Sequence, residues 1–186
     1  MRPCYVICIV LLFNSFATVQ GSTFQDEENK TLEPTLPSDW LGVWMGVMVI
    51  TNPKNEKMTV PLQMEIASIR GSNKLSWITS YGDPESKKQQ PRVVKKYELV
   101  PESGKSGRFM IDEKNGIKLP ARLVGNVLYS QFVVGGSSIT ARYELDEDQL
   151  QFEIVSTSKA PAGDEIQSVE TFNINVIQRV KMKRKK

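Results

Sequence analysis

The stretch Trp40-Leu41-Gly42-Val43-Trp44-Met45-Gly46-Val47-Met48-Val49-Ile50 decides how this chain reads. It carries two tryptophans, two glycines and no charge, with too little contrast between faces for a surface helix, so it reads as an opening β-strand. Glycine inside a strand removes a side chain where something bulky comes close or where the strand must bend. With Trp44 between Gly42 and Gly46, the pattern fits a sheet that curls and closes, the indole plugging the opening.

Outward from this stretch the chain is a series of short strands. After a polar hairpin loop at residues 52–57, Met58, Val60, Leu62, Met64 and Ile66 alternate with Thr59, Pro61, Gln63, Glu65 and Ala67. A period of two with one apolar face is a half-buried strand, and Pro61, lacking an amide donor, places it near an edge or a bulge. Further runs fall at residues 75–79, 93–100, 108–111, 117–123, 127–134, 139–145 and 150–154. Asn115-Gly116 is the strongest hairpin signal among them, because both of its turn positions require φ above zero. The last strand reads as residues 167–180, with Phe172, Ile174 and Val176 on its buried face. Lys96-Tyr97-Glu98-Leu99 and Arg142-Tyr143-Glu144-Leu145 repeat one another, as two barrel strands under the same alternation would. About ten strands, hairpin-length loops and few or no helices predict an all-β fold: a closed antiparallel meander barrel, its first and last strands paired to remove exposed edges.

The 186 residues suffice for one domain with a sizeable core. Residues 1–21 read as a signal peptide, with Arg2 as a minimal basic region, an apolar run at 5–13 and small residues at cleavage spacing. The protein is therefore expected to be secreted or periplasmic. Cys4 and Cys8 both lie in that leader, so the barrel must be held by its core without disulfides. No segment is apolar enough to span a bilayer as a helix, and a transmembrane protein is not expected. Residues 22–36 are polar and acidic and read as a flexible spacer, and Pro37-Ser38-Asp39 suits one short helical turn ahead of the barrel. The barrel itself is read as residues 37–180. Net charge is +3, but the tail at 181–186 and Arg2 account for six of 24 basic groups, leaving 18 against 21 acidic ones. The basic character is thus assigned to a C-terminal appendage whose deletion is expected to leave melting unchanged.

The chain has no histidine. That excludes a Ser-His-Asp triad, a Cys-His pair, a His-ligated zinc and a His-ligated haem, and the protein is expected to be neither an enzyme nor a cofactor carrier. Glu65, Glu98, Glu144 and Glu153 fall on the predicted outer face, which removes paired interior carboxylates for glycoside hydrolysis. The acidic turns around Asp112 and Asp146 lack calcium-loop spacing and read as solvated hairpin tips.

Gly42-Val43-Trp44, preceded by a short helical turn and followed by an exported meander, resembles the Gly-x-Trp motif of the lipocalins within the calycin superfamily. The resemblance implies a barrel whose tryptophan packs at the closed end near a basic side chain from the last strand, for which Arg179 is the matching position. The ten strands and the Leu-Gly-x-Trp-x-Gly spacing look equally like the nitrobindin branch, here without the haem histidine. Fatty-acid-binding proteins also have ten strands but insert a helix pair after the first, and residues 51–57 are too short to hold one.

Ten strands enclose more volume than side chains of an eight-stranded barrel fill. Thioether and aromatic side chains suit an adaptable apolar pocket, so the candidate lining is Trp44, Met48, Met58, Leu62, Met64, Trp77, Tyr97, Tyr143, Phe152 and Phe172. The expected role is binding or carrying a small apolar molecule in the barrel. The alternative is an interaction module with a filled barrel, docking on a partner or an anionic surface through its loops and Lys181, Lys183, Arg184, Lys185 and Lys186. No aromatic residue lies in that tail, so specific nucleic-acid recognition is not expected.

Overall fold

The structure, a computed structural model, describes residues 36–82, 93–160 and 170–185. A 3₁₀ turn at Ser38–Trp40 leads into ten strands: β1 (Gly42–Thr51), β2 (Lys57–Ser68), β3 (Leu75–Tyr81), β4 (Val93–Pro101), β5 (Arg108–Asp112), β6 (Lys118–Val124), β7 (Val127–Val134), β8 (Ser137–Asp146), β9 (Gln149–Lys159) and β10 (Phe172–Arg184). Each strand pairs antiparallel with its neighbour in sequence, and β1 pairs with β10, so the meander closes into a barrel as the sequence predicts. The predicted leader at 1–21, most of the spacer, most of the loop after β3 and Lys186 lie outside the described residues.

The two glycines of the opening strand are explained by what lies against them. A Cβ on Gly46 would stand 2.6 Å from the backbone oxygen of Lys181, so β1 and β10 could not approach as they do with any larger residue. Gly42 has φ +137°, and a Cβ there would meet the Arg184 guanidinium. The register Trp44↔Arg184 and Val49↔Arg179 then fixes which face of β10 turns inward.

The structure differs from the sequence reading in three ways, the first two in the closing strand β10. First, it runs through Arg184, so residues 181–184 belong to the barrel wall, and Met182 is fully buried. The basic appendage is mostly strand. Second, a bulge between Ile174 and Val176 shifts the register against β9. One extra residue reverses the alternation. Ile174 and Phe172 therefore pair with Thr157 and Lys159 and lie exposed, whereas Val180 and Met182 face the core. Third, Leu36, assigned to the spacer, is buried in the core cluster.

Two smaller expectations also change. The β5–β6 hairpin forms, but the residues with positive φ are Lys114 and Gly116, not Asn115. The Asp112 carboxylate accepts from the Lys114 amide at 2.8 Å and the Asn115 side-chain oxygen from the Ile117 amide at 2.9 Å, local bonds that build a longer loop instead. Pro61 sits in a closed wall with no edge; its carbonyl accepts from Gly82 at 2.9 Å, so its missing donor falls where β3 has ended.

The interior is unevenly filled. At the end covered by the 3₁₀ turn, Trp40, Trp44, Ile66, Leu99, Phe109, Leu150 and Met182 make a solid plug. Along the β1–β2 wall, Met48, Leu62 and Met64 continue that packing, each essentially without solvent contact. The opposite half of the lumen is not filled.

Candidate functional site

A cavity of about 120 Å³ occupies that unfilled half, walled by strands β3 to β9 and by Glu113 from the β5–β6 loop. Cavities of about 150 Å³ accept benzene, so this one has room for about one small ring, with more reaching toward the mouth. Most of the wall is apolar: Leu99, Ile111, Leu128, Phe132, Ile139 and Ile154 present aliphatic and aromatic carbon.

An aromatic chain runs from the floor up one wall. Trp40 in the plug meets Trp77 at 6.3 Å between ring centroids, Trp77 meets Tyr143 edge-on at 5.0 Å, and Tyr143 stacks on Phe152 at 4.4 Å with planes only 4° apart. Such pairs hold their rings in fixed orientations, each adding about 0.5–1.5 kcal/mol beyond area burial.

Three phenols interrupt the apolar lining. Tyr81 closes β3, and Tyr97 and Tyr143 come from the two copies of the repeat on β4 and β8. The repeat thus does more than keep strand alternation: its tyrosine turns inward while its carboxylate turns outward. Glu98 takes Lys114 at 2.9 Å, and Glu144 takes Arg142 at 2.5 Å, both outside the lumen. Burial pushes all three phenols above their ordinary range, and Tyr143 is raised further by Tyr81, Tyr97 and Glu113. They are neutral O–H groups at any physiological pH. Lys95 and Glu113 complete the polar lining, with Lys95 exposed where the cavity reaches the surface.

Of the ten residues proposed from sequence, Trp77, Tyr97, Tyr143 and Phe152 line this cavity. Trp44, Met48, Leu62 and Met64 are buried in the packed half and do not border it. Met58, at the far end of β2, and Phe172, before the bulge, are 58% and 50% exposed and lie outside it. Sequence reasoning missed Tyr81, Thr79, Lys95 and Glu113. Alternation places Lys95 and Tyr97 on one face of β4, but a lysine on an inward face reads as an exception until the strand is known to end at an open mouth.

At the opposite end, Trp44 donates its indole N–H to the Trp40 carbonyl at 2.9 Å, and the Arg184 guanidinium lies over its ring at 4.3 Å. Arg184 also donates to the carbonyls of Leu41 and Asp39, the latter at 2.5 Å. The basic partner of the motif tryptophan is thus Arg184, not Arg179, which points outward and pairs with Glu153. Glycine-x-tryptophan in the first strand, a covering turn and an arginine from the last strand now stand together at the closed end of a ten-stranded meander. The fold is lipocalin-like, of calycin type.

Solved structures agree on that lipocalin-like architecture. The S-type phycobiliprotein lyase CPES from Guillardia theta superposes with a TM-score of 0.57 at 6% identity, covering 80% of this chain and 89% of its own. A protein of unknown function from the DUF3598 family of Nostoc punctiforme gives a TM-score of 0.55 at 15% identity over 82% of this chain and 50% of its own. Rv2717c from M. tuberculosis gives 0.50 at 12% identity over 80% and 94%. At such identities the likeness is one of fold. No family model matches the chain, and no curated protein matches it by sequence.

Proposed function

We propose that this lipocalin-like barrel binds and carries a small, largely apolar molecule in the cavity between β3 and β9. The observation that carries the reading is the contrast within one lumen: the β1–β2 side is filled by buried Met48, Leu62 and Met64, whereas the side facing it keeps a walled cavity with an aromatic lining. A barrel that served only as a scaffold would gain stability by filling that space. The reading is one of binding, with no chemistry assigned to the lining.

The leader-like residues 1–21 support export, so the ligand would be met in a secreted or periplasmic setting. Native mass spectrometry of the purified protein tests the site. The wild type should retain or take up a small apolar molecule built on a single ring, and an Ala141→Phe variant, whose new ring projects into the cavity, should not. Equal uptake by both would refute the interior site.

A second reading keeps one specific observation. Lys181 and Lys183 are exposed on the outer face of β10, in alternation with Arg179, and could meet an anionic surface. Co-sedimentation with vesicles containing phosphatidylserine, abolished by salt and by Lys181→Glu/Lys183→Glu, would support it; sedimentation that these changes leave intact would remove it.

A further inference from the structure

The polar lining of the cavity narrows the ligand class, given the interior site proposed above. Tyr81, Tyr97 and Tyr143 reach the same small space from β3, β4 and β8, and among the described residues none of their hydroxyls has a hydrogen-bond partner. Each of these hydroxyl oxygens keeps accessible surface, so none is sealed away from solvent or a guest. Three phenols that border an otherwise apolar pocket and have no protein acceptor among the described residues leave three donors available to a guest. Phenylalanine would serve the packing equally well at all three positions.

We infer that the cavity selects a small planar molecule with an apolar body and an uncharged hydrogen-bond acceptor of the carbonyl type, held by the hydroxyls of Tyr81, Tyr97 and Tyr143. The apolar body lies against Trp77, Phe152 and the aliphatic wall. The acceptor end is uncharged because, among the described residues, no cation stands inside the cavity to offset an anion's desolvation, and the other charged group of the lining, Glu113, is itself an acid that accepts from Asn115 at 3.2 Å. Lys95 stands at the exposed mouth, where its charge is screened by solvent. An apolar isostere would leave the hydroxyls dry and unpaired, and a site built to hydrogen-bond rejects such an analogue strongly.

Three probes of nearly equal size separate these terms by titration calorimetry: benzylideneacetone, with a neutral carbonyl; cinnamate, with a carboxylate; and β-methylstyrene, with neither. The wild type should favour the ketone over the hydrocarbon by at least about tenfold, and over cinnamate as well. The Tyr81→Phe/Tyr97→Phe/Tyr143→Phe variant should lose that preference while binding β-methylstyrene at least as well, and Tyr143→Phe alone guards against a folding defect in the triple variant by showing a partial loss. Equal wild-type affinity for ketone and hydrocarbon, a preference that survives the triple variant, or tighter binding of cinnamate would each overturn the inference while leaving the interior site standing. Binding of none of the three would overturn the interior site and this inference together.

Discussion

The guanidinium of Arg184 lies 4.3 Å above the ring of Trp44, joining the last residue of the closing strand to the motif residue of the opening strand. The same guanidinium caps the carbonyls of Leu41 and Asp39, so it also fastens the 3₁₀ turn over the plug. Closure of the barrel and closure of its end are thereby one contact system.

Removal of residues 181–186 should be severe. It deletes the strand end paired with Trp44, takes the fully buried Met182 from the plug and leaves carbonyls of the turn uncapped. Met182→Ala alone should cost about 2–5 kcal/mol, and the truncation more. Chemical denaturation measures both, and an unchanged midpoint for the truncated chain would restore the appendage expected from sequence.

Arg184→Lys should be milder. The exposed cation–π contact contributes about 0.5–1 kcal/mol, and lysine cannot reproduce the fork that reaches two carbonyls while stacking. A loss of about 1 kcal/mol with an unaltered barrel is expected; Arg179→Lys, on the outer wall, should change stability by less than about 0.5 kcal/mol.

Gly46→Ala tests the tight seam. Its Cβ meets a backbone oxygen at 2.6 Å, which cannot swing aside, so the strands must part at a cost of about 1–3 kcal/mol. Gly125→Ala, where the added Cβ meets nothing, isolates the purely conformational cost of a positive φ, about 1 kcal/mol. If the two cost the same, seam packing is looser than the structure shows.

Trp44→Ala should cost about 3–5 kcal/mol, because it empties the centre of the plug and strands the Trp40 carbonyl. A thermal shift of only a degree or two would show the indole to be dispensable.

Alkaline pH should destabilise the fold. Tyr81, Tyr97 and Tyr143 have folded pKa values above the ordinary one of 10.0. Below pH 10 both states hold these protons; above it the unfolded chain releases them and the folded chain does not, so stability falls as pH rises. Tyrosinate absorbance should therefore show these phenols ionising at higher pH in the folded protein than in the unfolded chain, and the triple phenylalanine variant should lose that part of the slope.

How much of this was legible beforehand can be seen strand by strand. The alternation of Met58, Val60, Leu62, Met64 and Ile66 and the turn signals between later runs placed all ten strands, because a half-buried strand imposes its period directly on the residues. The cavity was legible only in part. Trp77, Tyr97, Tyr143 and Phe152 were identified because inward parity is local, but parity cannot tell a packed inward residue such as Met48 from one that borders a void, such as Ala141. The bulge after Ile174 was silent in the sequence, since an extra residue leaves no compositional trace, yet it turned Phe172 outward; the pairing Trp44↔Arg184, which sets Arg184 and not Arg179 over the indole, arises only when β1 meets β10.

Strand count, meander order, the glycine-flanked tryptophan of the opening strand and the lack of any histidine are all readable along the chain, because neighbours in the chain fix them. That the last residues close the barrel, that one half of the lumen is filled and that three phenols share the other half emerges only on folding. Those outcomes depend on which side chains compete for the same interior volume, and residues far apart in the chain meet only once the barrel has closed.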